Sequence, residues 1–378
     1  MFHYRNRSTA LAVAVGAALA AGALPAAADV KVYGKVHMSV DYVDGKGAGD
    51  ATTSAGSAAT SRKHVAVSSN SSRWGIDVSE KLGGNLKAIA KLESELDASG
   101  ETSSQNSRNR YVGLNGGFGT VLAGIYDTPF KAVHNAVGFF EDQVGDYRNI
   151  TDGTDQGNGT LGWNLRPGNV VAYATPNLGG FTATYAYSAD STNVAGTEDN
   201  RRRADSLSLV YAQGPLYVGY GYETHRFSTV ADGGNPTEKG QRLAASYNFG
   251  AFKLAALVQD LKDLGGTASG SQSVNRKSWT VGGAYTAGNN VFKAQYTKAG
   301  NLSNQSAGTS GDNTGAKLWA LGWDHLFSKT VKAYVAYAKT DNDSAAAFRV
   351  NSTGHGDAVT PATGLDPQAW SVGMIVDF

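Results

Sequence analysis

The chain has 378 residues, no cysteine, and 33 Lys and Arg against 32 Asp and Glu; 41% of it is hydrophobic, with 48 glycines and 18 tyrosines. Without cysteine it is neither a disulfide scaffold nor a thiolate metal site, and its balanced charge excludes the basic surface of a nucleic-acid binder. Its apolar residues are too few and too dispersed for a helical membrane bundle, yet a barrel remains open, because only alternate residues of a barrel strand face lipid.

The chain begins with Arg5 and Arg7, an apolar run from Ala10 to Ala23, Pro25, and Ala26-Ala27-Ala28 before Asp29. That pattern predicts a secretory leader over 1–28, cleaved before Asp29; the run is short for a membrane-spanning helix. Residues 29–378 are expected to form one domain.

From Val30 the sequence alternates. Val30, Val32, Val36, Met38, Val40 and Tyr42 fall on one face of a strand, and Lys31, Lys35, His37, Ser39 and Asp41 on the other. After a Gly/Ala/Ser/Thr-rich loop, strands are predicted at about 64–81 and 86–96, then 107–115 and 119–126. A long insertion runs from Asp127 to about Pro167. Beyond it, pairs are predicted at 168–176 with 180–189, 204–213 with 215–226, 239–249 with 251–261, 276–287 with 290–299, and 315–327 with 330–339. The last strand, 367–378, carries Trp370, Val372, Met374, Val376 and Phe378 on one face and Ser371, Gly373, Ile375 and Asp377 on the other. Short turns alternate with long loops throughout. Aromatics such as Tyr42, Phe249, Phe252 and Tyr285 gather near strand ends, as interfacial girdles do. The expected fold is therefore all-β: a transmembrane antiparallel barrel of about sixteen strands with long extracellular loops, whose polar face lines a water-filled lumen too wide for side chains to plug.

The insertion carries Phe139-Phe140-Glu141-Asp142, then Asp146, Asp152 and Asp155. Folded into the lumen as the third loop, it would set these acids against basic residues of the early strands: Lys31, Lys35, Arg73, Lys87, Lys91, Arg108 and Arg110. Spacing alone leaves an external loop with solvated charges equally open.

Several blocks of sequence resemble one family. They are Ser72-Arg73-Trp74-Gly75-Ile76, Leu82-Gly83-Gly84-Asn85-Leu86-Lys87-Ala88 with Leu92-Glu93, Tyr111-Val112-Gly113-Leu114 with Phe118-Gly119-Thr120, Asp127-Thr128-Pro129, Arg166 to Pro176 with Gly179-Gly180-Phe181, and Leu326-Phe327-Ser328-Lys329-Thr330. In this order they resemble the Gram-negative trimeric general porins of the β-proteobacterial branch, and ending on Phe378 is similar to the signal by which outer-membrane barrels are recognised. The resemblance implies a sixteen-stranded homotrimer with the third loop in each pore. It puts Lys35, Arg73, Arg108 and Arg110 in a basic constriction wall, with Glu141 and Asp142 on the loop opposite. Gly124 is often followed by arginine in that family; Ile125 stands here, which implies only a weak or moderate anion preference. Ala88, Ala90 and Gly113 are read as small outward residues suited to close barrel contact.

No G-x-S-x-G or H-E-x-x-H pattern occurs, and the histidines lack ligand spacing, so no catalytic residue, metal or cofactor is expected. Asp152 to Asn158 fails the register of a calcium loop. Arg201-Arg202-Arg203 is assigned to an outward loop, solvated or set against lipopolysaccharide phosphates. The expected function is a general diffusion porin of the outer membrane, passing small hydrophilic solutes and ions. The alternatives are a substrate-specific porin, for which Phe139, Phe140, Tyr147 and Trp163 could line a track, a structural or adhesive barrel, and an outer-membrane enzyme. Lipid, lipopolysaccharide and two further copies of the chain are the expected partners, and nucleic acid is not.

Overall fold

The computed structural model describes residues 28–46, 63–100, 107–152, 162–189, 202–227, 237–264, 274–303, 311–351 and 361–378. The segment expected to be a leader lies outside the described residues, save Ala28. Strands β1 (Asp29–Asp44), β2 (Lys63–Ser69), β3 (Arg73–Gly83), β4 (Leu86–Glu95), β5 (Ser107–Gly116) and β6 (Gly119–Ile125) precede the long loop. Strands β7 (Val170–Ala174), β8 (Phe181–Ser188), β9 (Arg202–Gln213), β10 (Leu216–Phe227), β11 (Thr237–Phe249) and β12 (Phe252–Leu264) follow it. Strands β13 (Val274–Ala287), β14 (Asn290–Ala299), β15 (Ala316–Leu326), β16 (Val331–Asn342) and β17 (Gln368–Asp377) complete the wall. All pairings are antiparallel, and β17 returns to β1, so the sheet has no open edge. Closure is what hydrocarbon demands, since an unpaired edge there would leave backbone N–H and C=O groups without partners.

Closure is sealed at Gly34. Its N–H donates to the Phe378 carbonyl at 2.9 Å and its carbonyl accepts from the Phe378 N–H at 3.0 Å. The Phe378 ring covers Gly34 so closely that a Cβ there would sit 2.2 Å from it.

The alternation read from the sequence is the alternation of the wall. Val32 and Val372 are 60% and 57% exposed on the outside, while Asp41 and Ser371 are fully buried on the inside. The predicted strands match the staves in number. The predicted strand at 64–81, however, is two strands: β2 pairs with the upper half of β1 and β3 with its lower half, so seventeen strands make sixteen staves. Between the Lys35–Arg73 and Met38–Ser69 pairs, β1 has two residues and its partner three, Asn70 to Ser72. The extra residue is a β-bulge, with Ser71 at φ 50°. It reverses the side-chain phase, because the period is two. Val65 and Val67 point outward above it, and below it Trp74 points outward while Arg73 turns inward.

Two further boundaries differ. Arg202 and Arg203 begin β9 rather than lying in a loop, and Arg201 falls outside the described residues. The strand predicted at 168–176 shrinks to Val170–Ala174, preceded by Asn169 at φ 52°. Among the described residues no helix is long and apolar enough to cross a membrane.

Candidate pore constriction

The third loop enters the lumen on paired stems. The Tyr126 N–H donates to the Pro167 carbonyl at 3.2 Å and the Thr128 N–H to the Leu165 carbonyl at 3.1 Å. Thr128 then caps a short helix, α1 (Pro129–Ala132), its hydroxyl accepting from the Lys131 N–H at 3.3 Å with proline at the first turn. A 3₁₀ turn (Val133–Ala136) and a second short helix, α2 (Arg148–Thr151), follow.

One side of this loop is apolar and packs on the inner wall of the later strands. Phe130 and Trp163 meet Leu261 and Leu264; Val133 and Tyr147 meet Ala244 and Leu257; Phe140, Val144 and Ile150 meet Leu318, Ala336 and Ala338. Gly145, at φ 79°, lies against Ala320 and Ala338, where a Cβ would approach theirs to 2.6 and 2.8 Å. Wall side chains also bind the loop's backbone and amides. Gln259 Nε2 donates to the Thr151 carbonyl at 2.7 Å, Gln295 Nε2 to the Gly145 carbonyl at 3.1 Å, and Lys293 Nζ to Gln143 Oε1 at 3.0 Å. The described part of the eighth loop, ahead of residue 352, folds inward too: Phe348 and Val350 are buried, and the Val350 carbonyl accepts from Gly145 N–H and Asn149 Nδ2. The sequence reading missed this; the run Ala345-Ala346-Ala347-Phe348 in an otherwise polar loop was the available signal. Phe140, Tyr147 and Trp163 are at most 1% exposed, so these aromatics anchor the loop and line no track.

With its apolar side held on the later strands, the loop turns its charges toward β1–β5. Asp142 Oδ2 lies 4.0 Å from Arg73 Nη1, across the gap between loop and wall. Behind it, Arg148 Nη2 is 3.1 Å from Asp142 and 2.5 Å from Asp146. On the wall, Arg108 Nε donates to Glu93 Oε1 at 2.6 Å, and Arg73 Nε stands 3.9 Å from Glu93 Oε2. Tyr33 donates to Glu93 at 2.8 Å and accepts from Lys91, whose ammonium is 2.8 Å from Asp77. Lys35 lies beside Arg73 in the β1–β3 pair, and its charge acts on Glu141 and Asp142. A cavity of about 300 Å³ separates the two sides, lined by Arg108, Arg148, Arg166 and Lys131 together with Glu141 and Asp142. Lys31 and Lys87 stand near the periplasmic ends of β1 and β4, away from this gap.

The structure therefore brings Lys35, Arg73, Arg108, Glu141 and Asp142 together, and Arg110 is the exception. Glu93 on β4 faces both Arg108 and Asn109, a bulge that puts Arg108 inward. Arg110 then pairs with Leu92 and Ile125 and shares the outer face with Val112. Its Nε donates to the Glu93 carbonyl at 3.1 Å and its Nη2 to Ser94 Oγ at 2.5 Å. Ile125, paired with Arg110, also faces outward, so the side chain at this position does not bear on the charge of the lumen. Ala88 and Ala90 face outward as expected, but Gly113 pairs with Ile89 on the inner side.

The charges of the loop are strongly tuned. Burial, with Asp142 and Asp146 nearby, raises the Glu141 carboxyl above its ordinary range against the pull of Arg148 and Lys35. Burial also acts on Asp142, but Arg148 and Arg73 outweigh it and lower that carboxyl. At the loop stem Asp127, 2.6 Å from Lys131 and 2.8 Å from Arg166, is depressed to about 2 despite burial. His134 is buried beside Arg148, Arg242 and Lys131 and pushed well below its ordinary value, hence neutral.

Comparison with known proteins bears on the family and the fold. The family described as Gram-negative porin matches residues 10–345. Outer membrane porin protein 32 of Delftia acidovorans is 31% identical over 349 residues, 90% of this chain and 92% of that one. The major outer membrane protein P.IB of Neisseria lactamica is 28% identical over 333 residues, 84% of this chain and 90% of that one. Among solved structures, an anion-selective porin from Comamonas acidovorans superposes with a TM-score of 0.76 at 25% identity, over 93% of this chain and all of that one. OmpT of Vibrio cholerae in its trimer form gives 0.66 at 17% identity, a likeness of fold alone.

Proposed function

The chain belongs to the Gram-negative porin family, and from that premise we propose that ions are chosen where Lys35, Arg73 and Arg108 face Glu141 and Asp142 across the pore. It is an outer-membrane porin, a passive water-filled channel for small hydrophilic solutes and ions. The observation that carries the selectivity reading is the 4.0 Å approach of Arg73 to Asp142. At that distance an ion cannot pass without entering both fields, since the Debye length at physiological salt is about 8 Å. Once Glu93 is counted between Arg73 and Arg108, and Asp146 against Arg148, four bases meet four acids, and the raised carboxyl of Glu141 tips the balance toward the bases when it takes up a proton. We read the pore as weakly to moderately anion-preferring, in keeping with the relative described as an anion-selective porin. The working form is a homotrimer in contact with lipopolysaccharide, and no chemistry is catalysed. Ala88 and Ala90 leave the outer face of β4 low enough for a neighbouring barrel to approach. The leader is cleaved before Asp29, which the mass of the purified protein tests.

The experiment is a planar-bilayer record in a salt gradient. Conductance in threefold steps with a modest anion-favouring reversal potential is the expected result. A silent membrane would remove the channel reading, and a strongly cation-favouring potential would remove the assignment of the basic wall.

A further inference from the structure

The periplasmic end of the lumen carries lysines that the constriction does not use. On the β3–β4 hairpin Lys81 stands directly opposite Lys87, just ahead of the turn at Gly83 and Gly84. Both face the lumen, because Glu80 and Ala88, the next pair along, share the outer face with Val78 and Ala90. Both are exposed, and neither forms an ion pair among the described residues. Like charges directly opposite on one face of a sheet repel, since their Cβ atoms lie about 5 Å apart. That spacing is inside the Debye length of about 8 Å at physiological salt, so solvent ions screen the repulsion only in part. The hairpin has no need of such a pair for its fold.

The surroundings do not neutralise it. Nearer the constriction, Asp77 pairs with Lys31 on one side and Lys91 on the other. Its carboxylate lies 2.8 Å from the Lys91 ammonium, and Lys31 is left without an ion pair among the described residues. Asp29 stands between, opposite Ser79, and cleavage before it sets a new α-amino charge beside its own carboxylate. Across the vestibule, Lys253 begins β12 one residue in from its periplasmic turn; its ammonium lies 5.5 Å from the centre of the Phe139 ring and meets no carboxylate among the described residues. Lys293 and Lys332 share the single carboxylate of Asp324, at 2.8 and 3.3 Å. The other acid at this end, Asp377, lies opposite Lys35. Lysines of the vestibule therefore outnumber the acids facing them, whereas bases and acids at the constriction are equal in number.

We propose that the periplasmic vestibule is a holding site for small multivalent anions such as hydrogen phosphate, centred on Lys81 and Lys87, an inference that rests on the channel reading. A singly charged ion leaves one ammonium of the opposed pair unmatched. A doubly charged oxyanion accepts a charge-assisted hydrogen bond from each. Coulomb attraction grows with the product of the charges, so the second charge on the anion doubles the pull of every lysine around it. The site is one-sided. An anion arriving from the periplasm meets it in open water, whereas one arriving from outside first passes Glu141 and Asp142. Ions are then chosen in two places, and an anion held in the vestibule repels the next one entering from the constriction.

The test adds inorganic phosphate to one chamber of a planar bilayer that holds the intact porin, inserted from one side in potassium chloride. The pH is mildly alkaline, so that phosphate is mainly doubly charged, and the chloride current is read. Phosphate on the periplasmic side should reduce the current as much as about five times its concentration does on the extracellular side. Nitrate at matched ionic strength should act equally from both sides. Lys81→Gln with Lys87→Gln should abolish the sidedness of phosphate, while Lys81→Arg with Lys87→Arg keeps it. Equal action of phosphate from the two sides of the intact protein, undiminished sidedness in the glutamine variant, or nitrate behaving as phosphate does, each overturns the site. If the double variant does not fold, Lys87→Gln alone, with the sidedness about halved, decides the matter together with the comparison of sides on the intact protein. The chloride current before phosphate is added separates failure of the vestibule site from failure of the channel reading.

Discussion

The indole of Trp163 lies flat on the imidazole of His225, with centroids 4.3 Å apart and 23° between the planes. His225 is itself fixed between Glu223 at 2.8 Å and Glu238 at 3.2 Å. Gly240 supplies the floor, since a Cβ there would come within 2.3 Å of the indole. The outgoing stem of the third loop is thus held to the far wall by one stacked ring. Trp163→Ala should cost about 3–5 kcal/mol of local packing, as truncation of a buried aromatic does, and release the loop. Single-channel conductance and current noise should both rise. Conductance equal to that of the intact protein would mean that the wall amides alone hold the loop.

The facing charges should act in opposite directions. Arg73→Gln with Arg108→Gln should move the reversal potential toward cations, and Glu141→Gln with Asp142→Asn should move it toward anions. Arg110→Gln, on the outer face, should leave it where it was. If both double variants match the intact protein in a salt gradient, ions are chosen elsewhere.

Glu141 makes selectivity depend on pH. Burial raises its folded-state carboxyl above the ordinary range, so its protonated form is favoured in the folded protein. That contribution to stability is complete below the ordinary glutamate value and lost as pH rises through the raised one. Asp142, lowered by Arg148 and Arg73, stays ionised through the same window. As pH falls from neutral into the mildly acidic range, the loop loses one negative charge and the reversal potential should move toward anions. Glu141→Gln should abolish this drift; its persistence in that variant would assign the titration to another group.

The loop stem should loosen when Asp127 is neutralised. Its carboxyl, depressed to about 2, gives stability that is present above the ordinary aspartate value and lost as pH falls through about 2. Asp127→Asn leaves Lys131 and Arg166 without their shared anion. Breaking a buried pair this way costs up to about 3 kcal/mol, the site being partly open to the pore. Limited trypsin digestion should then cut at Lys131 or Arg148, where the intact protein resists.

The barrel was legible because a wall between lipid and water imposes a period of two on every stave. Val32 and Lys35, or Val372 and Ser371, declare their faces without knowledge of any partner. What was not legible depends on counting residues on two strands at once. Simple alternation puts Arg108 and Arg110 on one face, and only the two-against-one pairing at Glu93 sends them to opposite sides. Glu93 itself was visible on the face of Lys91, but its place between two arginines follows from β3, β4 and β5 together. Asp146 and Arg148 carry complementary charge two residues apart, yet their joint grip on Asp142 exists only in the folded loop.

The extra residue between Asn70 and Ser72 gives one stave two reading frames. Above it, the frame keeps Val65 and Val67 in hydrocarbon; below it, the frame keeps Arg73 in water. Deleting one residue there would merge the frames and force a choice between drowning two valines and stranding an arginine in lipid. With the bulge intact, the half next to the first loop can drift in sequence without re-aiming the charge at the pore. Membrane anchoring and ion choice can therefore vary separately along a single strand.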